Sequence, residues 1–182
     1  MKEIVKGNSV TGFKKLSDSE LGRTNQTHIG LPNGFLNYLN SKNGHTIEIN
    51  NCKFYFQLNK SDSTCIVNCI TRANGAKNSP KMISGGAREA SVVKQIKEIA
   101  SRNNQEYFLV WQVSENECDF LLVEKDSQDF NLIQQLENGE FDEEKLDLID
   151  SRFRKAKATQ LELVFEEKHL TIFSLKTIKF LI

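Results

Sequence analysis

Two periods run through the chain. Strict alternation of apolar and polar positions, the mark of a half-buried strand, covers Ile47 and Ile49, then Phe54, Phe56 and Leu58. It predicts a hairpin about a turn at Asn50 and Asn51. Alternation returns late, at Leu161, Leu163, Phe165, then Leu170, Ile172, Phe173, Leu175 and Ile178, and predicts a second hairpin or a pair of late strands, with Lys168 and His169 near the turn. A short strand is expected over 5–10, interrupted by Gly7, Asn8 and Ser9, with pairing resumed over 10–16. Asp62 and Ser63 mark another turn, ahead of a strand at 64–72 rich in β-branched residues. Residues 107–113 and 118–124 are almost continuously apolar on either side of a polar turn. Such runs fit strands covered on both faces, so they should form the buried centre, with Trp111 in the core.

Helical spacing appears in four places. Pro32 opens a short helix over 33–39, stopped by Asn43 and Gly44. The clearest helix spans 87–100 and carries Val92, Val93, Ile96, Ile99 and Ala100 on one stripe, with Lys94 and Lys97 off it and solvated. Residues 130–136 and 141–153 supply two more, the last one acidic, with Leu146, Ile149 and Phe153 inward. The class that follows is mainly β (α+β). One domain covers residues 1–182, with a core at about 5–136 and a C-terminal helix and hairpin over 141–182 that complete or extend it.

Composition qualifies this in one respect. The chain balances 24 Lys+Arg against 24 Asp+Glu, which by itself argues against a nucleic-acid partner. The charges are segregated, however: residues 1–102 carry 15 basic against 7 acidic side chains, and residues 103–182 carry 9 against 17. A basic front half can gather phosphates by counterion release even in a neutral molecule. Met1 leads into polar residues without an apolar leader, and no run is long enough to span a bilayer, so a cytoplasmic protein is expected. Cys52, Cys65, Cys69 and Cys118 are irregularly spaced and read as reduced core thiols. The apolar ending at 180–182 suggests a chain cut from a longer polypeptide.

Two polar excursions interrupt the apolar pattern, both in the basic half. The first, Gly22-Arg23-Thr24-Asn25-Gln26-Thr27-His28, is too long for a tight turn and holds almost every side-chain type that can read a base edge. Arg forks to guanine, Asn and Gln bond adenine bidentately, and Thr and His bond either groove edge. The second, over 73–81, follows Ile70-Thr71-Arg72 and includes Asn74, Gly75, Lys77, Asn78, Pro80 and Lys81. A solvated loop and a hairpin tip are the plain alternatives for the two.

The residues around these excursions carry a resemblance. Lys15-Leu16-Ser17, Glu20, Gly22, Thr24, Gly30 and Pro32, followed by Ile70-Thr71-Arg72, Gly75, Lys77 and Pro80, resemble the two arms of the EcoRII-N family. These are the effector DNA-binding domains of certain restriction endonucleases, which share a pseudobarrel with the plant B-three transcription-factor domain. The patch Asn25-Gln26-Thr27-His28 departs from the family's Gly-His-Gln-like one. The resemblance implies a B-three-like, seven-stranded open pseudobarrel flanked by short helices, binding double-stranded DNA sequence-specifically with both arms in one major groove. It further implies the target-recognition domain of an endonuclease or of an McrBC-type GTP-driven complex, with catalysis on a nuclease or NTPase domain or subunit elsewhere. On this reading Lys14, Lys15, Lys77 and Lys81 anchor phosphates, while Arg23, Asn25, Gln26, His28, Arg72 and Asn74 read bases. Ser17, Thr24, Thr27, Thr71 and Asn78 complete the DNA-binding set.

Other chemistry finds less support. A metal-dependent nuclease needs two acids and a lysine around a divalent cation; Asp150, Glu166 and Lys168 satisfy that loosely, and Asp119, Glu124 and Lys125 less well. This self-contained nuclease, using Mg2+, is the alternative to a binding domain that needs no cofactor. A protein-interaction module working through the acidic half is a third reading. Cys65 and Cys69 lack further zinc ligands at a usual spacing, His28, His45 and His169 are scattered without a nucleophile elbow, and no phosphate-cradling GxxxxGK[ST] loop occurs. Gly85-Gly86 ahead of a helix is a weak anion-binding signal.

Overall fold

The computed structural model describes residues 2–6, 9–32, 35, 46–57, 59–68, 80–84, 91–114, 117–139, 144–145, 147–149 and 151. By backbone contacts the chain forms two compact units, Met1–Phe141 and Asp142–Ile182. In the second, residues 144–145, 147–149 and 151 are helical and Ile149 is buried, as the spacing over 141–153 predicts. Leu146, Phe153 and the predicted late hairpin lie outside the described residues.

The first unit is a strongly curled, open half-barrel. Its strands are β1 (Lys2–Lys6), β2 (Ser9–Lys15), β3 (His28–Gly30), β4 (Thr46–Phe56), β5 (Asn59–Asn68), β6 (Lys81–Ile83), β7 (Tyr107–Ser114) and β8 (Glu117–Glu124). They form one sheet in the order β1-β2-β7-β8-β4-β5-β6-β3, eight strands where the resemblance implies seven. The mainly β class with flanking helices is the one the pattern predicts. Every described pairing is antiparallel except β4 with β8, which is parallel and joins two four-stranded halves of the sheet.

Inward positions alternate as a pleated strand requires. Leu109, Trp111 and Val113 of β7, Cys118, Phe120 and Leu122 of β8, Cys52 and Phe54 of β4, Cys65 and Val67 of β5, Met82 of β6 and Ile29 of β3 share one core. Helix α1 (Val92–Arg102) contributes Val92, Val93, Ile96 and Ala100 to it. The helix begins later than its stripe suggests, because the Ser91 hydroxyl caps it by accepting from the Lys94 N–H at 3.3 Å. Helix α2 (Gln128–Glu137) covers the opposite face of β7, where Phe108 and Phe130 meet edge to face at 4.8 Å. With both faces covered, β7 is apolar almost throughout.

Two expected turns are not turns. Asn50 and Asn51 form a bulge inside β4, where the register to β5 shifts between Ile49 and Cys52; the chain reverses at Gln57, which takes a positive φ of 55°. Asp62 and Ser63 lie within β5. Asp62 stays in the ladder because it pairs with Lys53 across the strand, and buried Ser63 because its hydroxyl accepts from Gln95 Nε2 at 2.7 Å. Polar residues met by a partner, on the next strand for Asp62 and on the helix for Ser63, do not break a strand. Of the helix expected over 33–39, only Phe35 is described; it is helical, and its N–H bonds the Pro32 carbonyl at 3.2 Å. Among the described residues no helix is long and apolar enough to cross a membrane.

Candidate nucleic-acid interface

The first polar excursion links the end of β2 to the start of β3, strands near opposite limits of the sheet order. Its base is organised by Glu20. The sequence Ser17-Asp18-Ser19-Glu20 folds as a capping box: the Glu20 N–H donates to Ser17 Oγ at 3.4 Å, while Glu20 Oε2 accepts from the Ser17 N–H at 3.1 Å and from its hydroxyl at 3.2 Å. The other carboxylate oxygen, Oε1, accepts from Lys14 Nζ at 2.6 Å and from the Gly30 N–H at 2.9 Å. Lys14 Nζ also donates to the Gly30 carbonyl at 3.0 Å. The Lys14 and Glu20 side chains are only 13% and 7% exposed. Burial alone would raise the Glu20 pKa, but the Lys14 ammonium and the Gly30 and Ser17 N–H groups outweigh it and hold the carboxyl below its usual range. One carboxylate thus ties β2, the turn after it and β3 together across the mouth of the half-barrel.

Beyond this latch the excursion lies along α1. Gly22 turns with φ +81°, and a side chain there would crowd Lys97 Cγ at 3.1 Å. Lys97 Nζ donates to the Gln26 carbonyl at 2.6 Å, and Gln26 Nε2 donates to the His28 carbonyl at 2.8 Å. Between arm and helix lies an open hollow of about 590 Å³, walled by Leu21 to Thr27 on one side and Lys97, Glu98 and Ser101 on the other. Thr24, Asn25 and Thr27 are exposed, and no side-chain hydrogen bond to another described residue holds Asn25 or Thr27.

The expected contact residues among the described ones have definite places. Lys14 belongs to the latch and is largely withdrawn from solvent, while Ser17 is part of the latch and exposed. Lys15 points the other way and pairs with Glu106 at 2.7 Å. Arg23 pairs with Asp18 and donates to the Gln105 carbonyl at 2.7 Å, which fixes the arm's tip against the start of β7. His28 sits half-buried on β3, and Lys81 on the neighbouring β6, two positions along the same face. Burial, together with the nearby ammonium groups of Lys81, Lys97 and Lys14, pulls the His28 pKa below its ordinary value despite the opposing charge of Glu20. Thr71, Arg72, Asn74, Lys77 and Asn78 lie outside the described residues.

Two residues matter more than their sequence context suggests. Lys97, read as solvated, pins the arm. Glu20 is its hub, and the signal for it was present in the Ser-x-x-Glu spacing of a capping box. The nuclease residues Asp150, Glu166 and Lys168 lie outside the described residues. Of the lesser set, Asp119 is buried, Glu124 accepts from Gln57 at 3.1 Å and Lys125 pairs with Glu106 at 3.1 Å. Among the described residues no group of three His, Cys, Asp or Glu side chains is placed to hold a metal ion. No protein-family model, curated protein or solved structure matches the chain.

Proposed function

We propose that the chain binds double-stranded DNA sequence-specifically, as the target-recognition domain of a restriction system, with the arm over 17–28 entering the major groove. The observation that carries this reading is the arm's construction. Its backbone is held at both ends by Glu20 and Lys97, while Thr24, Asn25 and Thr27 project outward. A recognition loop fixed before binding loses little ordering entropy on contact, and these side-chain types can bond base edges. Beside it, Lys81 makes no ion pair to a described residue, and His28 lies in a field of three ammonium groups. The second excursion springs from Asn68 and Lys81, at the Gly30 end of the β3–β6 ladder, and the first re-enters that ladder at His28. Because the pair is antiparallel, the two excursions leave this short ladder from opposite ends, about 7 Å apart along the strand.

The test is selection from a pool of random duplexes without magnesium, followed by binding at two salt concentrations. Enrichment of one short sequence supports the reading; no enrichment overturns it, and magnesium-dependent cleavage by the purified chain favours the nuclease alternative. On the selected site, Asn25→Ala should cost about 1–3 kcal/mol and relax preference at one base pair. Lys81→Ala should weaken all sequences alike and lower the slope of log K against log salt by about one. Equal effects of the two substitutions on selected and random duplexes would sink the division of roles.

Bound phosphate should also be visible at His28. Its imidazolium is disfavoured by burial and by three cations, so phosphate oxygens among those cations should move its pKa upward. Titration of the imidazole protons by NMR, with and without the selected duplex, measures this directly. An unchanged or lowered value in the complex would remove His28 and its lysine neighbours from the interface.

A further inference from the structure

Three cysteines far apart in sequence meet inside the sheet. Cys52 of β4 and Cys118 of β8 are register partners in the parallel pair, and Cys65 of β5 lies on the same inner face, two positions beyond Ser63, which faces Cys52. All three are free thiols and are at most 1% exposed. The bulge at 49–52 places Cys52 Sγ 3.5 Å from the Ile49 carbonyl. The neighbouring Cys118 and Cys65 thiols outweigh burial and hold the Cys52 thiol down at about 5. Cys118 is correspondingly pushed up, by burial first and then by Cys52 and Cys65.

We propose that Cys52 and Cys118 are a thiol–disulfide pair: a small-molecule disulfide converts them to an intramolecular bridge across the parallel seam. Adjacent strands hold paired Cα atoms about 4.8 Å apart, inside the roughly 4.4–6.8 Å that disulfides span. Local opening of the sheet admits the small disulfide to Cys52, which is buried in the closed fold; the Cys52 thiolate attacks one of its sulfurs, forming a mixed disulfide and releasing one thiolate. Cys118 gives its proton to that thiolate, attacks the Cys52 sulfur and expels the second, so two protein thiols are oxidised and one small disulfide is reduced to two thiols.

The place of the bond gives it a consequence. β4–β8 is the junction between the half-sheet that carries Lys14 and the half-sheet that carries Gly30. The Glu20 latch bridges the same two halves at the mouth. A bridge at Cys52–Cys118 therefore fixes covalently the frame from which the arm hangs.

The experiment treats the folded, full chain with 2-hydroxyethyl disulfide, quenches with acid, alkylates free thiols and maps peptides without reduction. A Cys52–Cys118 peptide, an intact mass lower by two hydrogens and a melting midpoint raised by about 10 °C are expected. Cys65→Ala should still form the bridge and Cys118→Ala should not. Full alkylation of all three thiols after treatment overturns the proposal, as does a bridge mapped to Cys65 or Cys69. The mapping on the unsubstituted chain decides even where a variant fails to fold, and its result is independent of DNA binding.

Discussion

Glu20→Ala should be the most damaging polar substitution in the first unit, lowering stability by about 3 kcal/mol or more. The change removes both carboxylate acceptors of the latch at once and leaves the Lys14 ammonium almost buried, with the Gly30 carbonyl as its remaining bonded partner. Stripping one member from a buried ion pair typically costs about 3–5 kcal/mol, because the survivor has lost water without compensation. For a chain of this size that is a fall of about 6–12 °C in melting midpoint. Lys14→Met with Glu20→Leu should recover much of the loss, since neither charge is then stranded. The same carboxylate sets an acid limit. Its pKa is lowered in the folded chain from an ordinary value near 4.5, so its contribution is complete above that value and disappears as pH falls through the lower folded one. Calorimetry of the two variants between neutral and acid pH checks both points. A Glu20→Ala chain as stable as the original would show that the latch contributes nothing to closing the half-barrel.

That latch marks the boundary of what the amino-acid pattern revealed. Strands β7 and β8 and the stripe of α1 were legible because burial on a fixed period is a local property: Tyr107 to Val113 can be nothing but a covered strand, and Val92, Val93 and Ile96 face one way on any helix. Lys14 was not legible. It reads as a surface lysine at the edge of a basic arm, yet it faces inward, in step with Gly12 on β2 and across from Leu109. Its partner Gly30 is 16 residues away and on the last strand of the sheet, so only the curl of the whole sheet brings them together. Asn50 and Asn51 failed for a related reason. A bulge and a turn share composition, and what separates them is whether the next strand partner continues past the break, as β5 does to Asn59. The cysteine trio is likewise a product of strand order, since spacings of 13 and 53 residues carry no period. The arm itself was legible as polar and exposed; that α1 supports it through Lys97 was not.

Gly12→Val should unfold the barrel nearly as effectively, and its effect should depend on one partner. Gly12 stands opposite Trp111 in the β2–β7 register, and a Cβ at this position would lie 2.3 Å from the indole Cε2 and Nε1. The indole is fully buried and packs edge to face against Phe35 at 6.4 Å, so it has no free volume to retreat into. Overpacking of this kind costs about 1–3 kcal/mol and more where the neighbour cannot move. Trp111→Ala should cost about 3–5 kcal/mol by leaving a cavity in the inner core. The two sites share one space, so their effects should not add. In the Trp111→Ala background the valine fills part of the cavity, and Gly12→Val there should cost less than about 1 kcal/mol. Chemical denaturation followed by circular dichroism gives all four corners of the cycle, and Trp111, the chain's one tryptophan, reports its own exposure in the Gly12 variant by fluorescence. Additive costs would mean that the indole does not occupy the space above Gly12, and the close approach of β2 to β7 at the centre of the half-barrel would have to be abandoned.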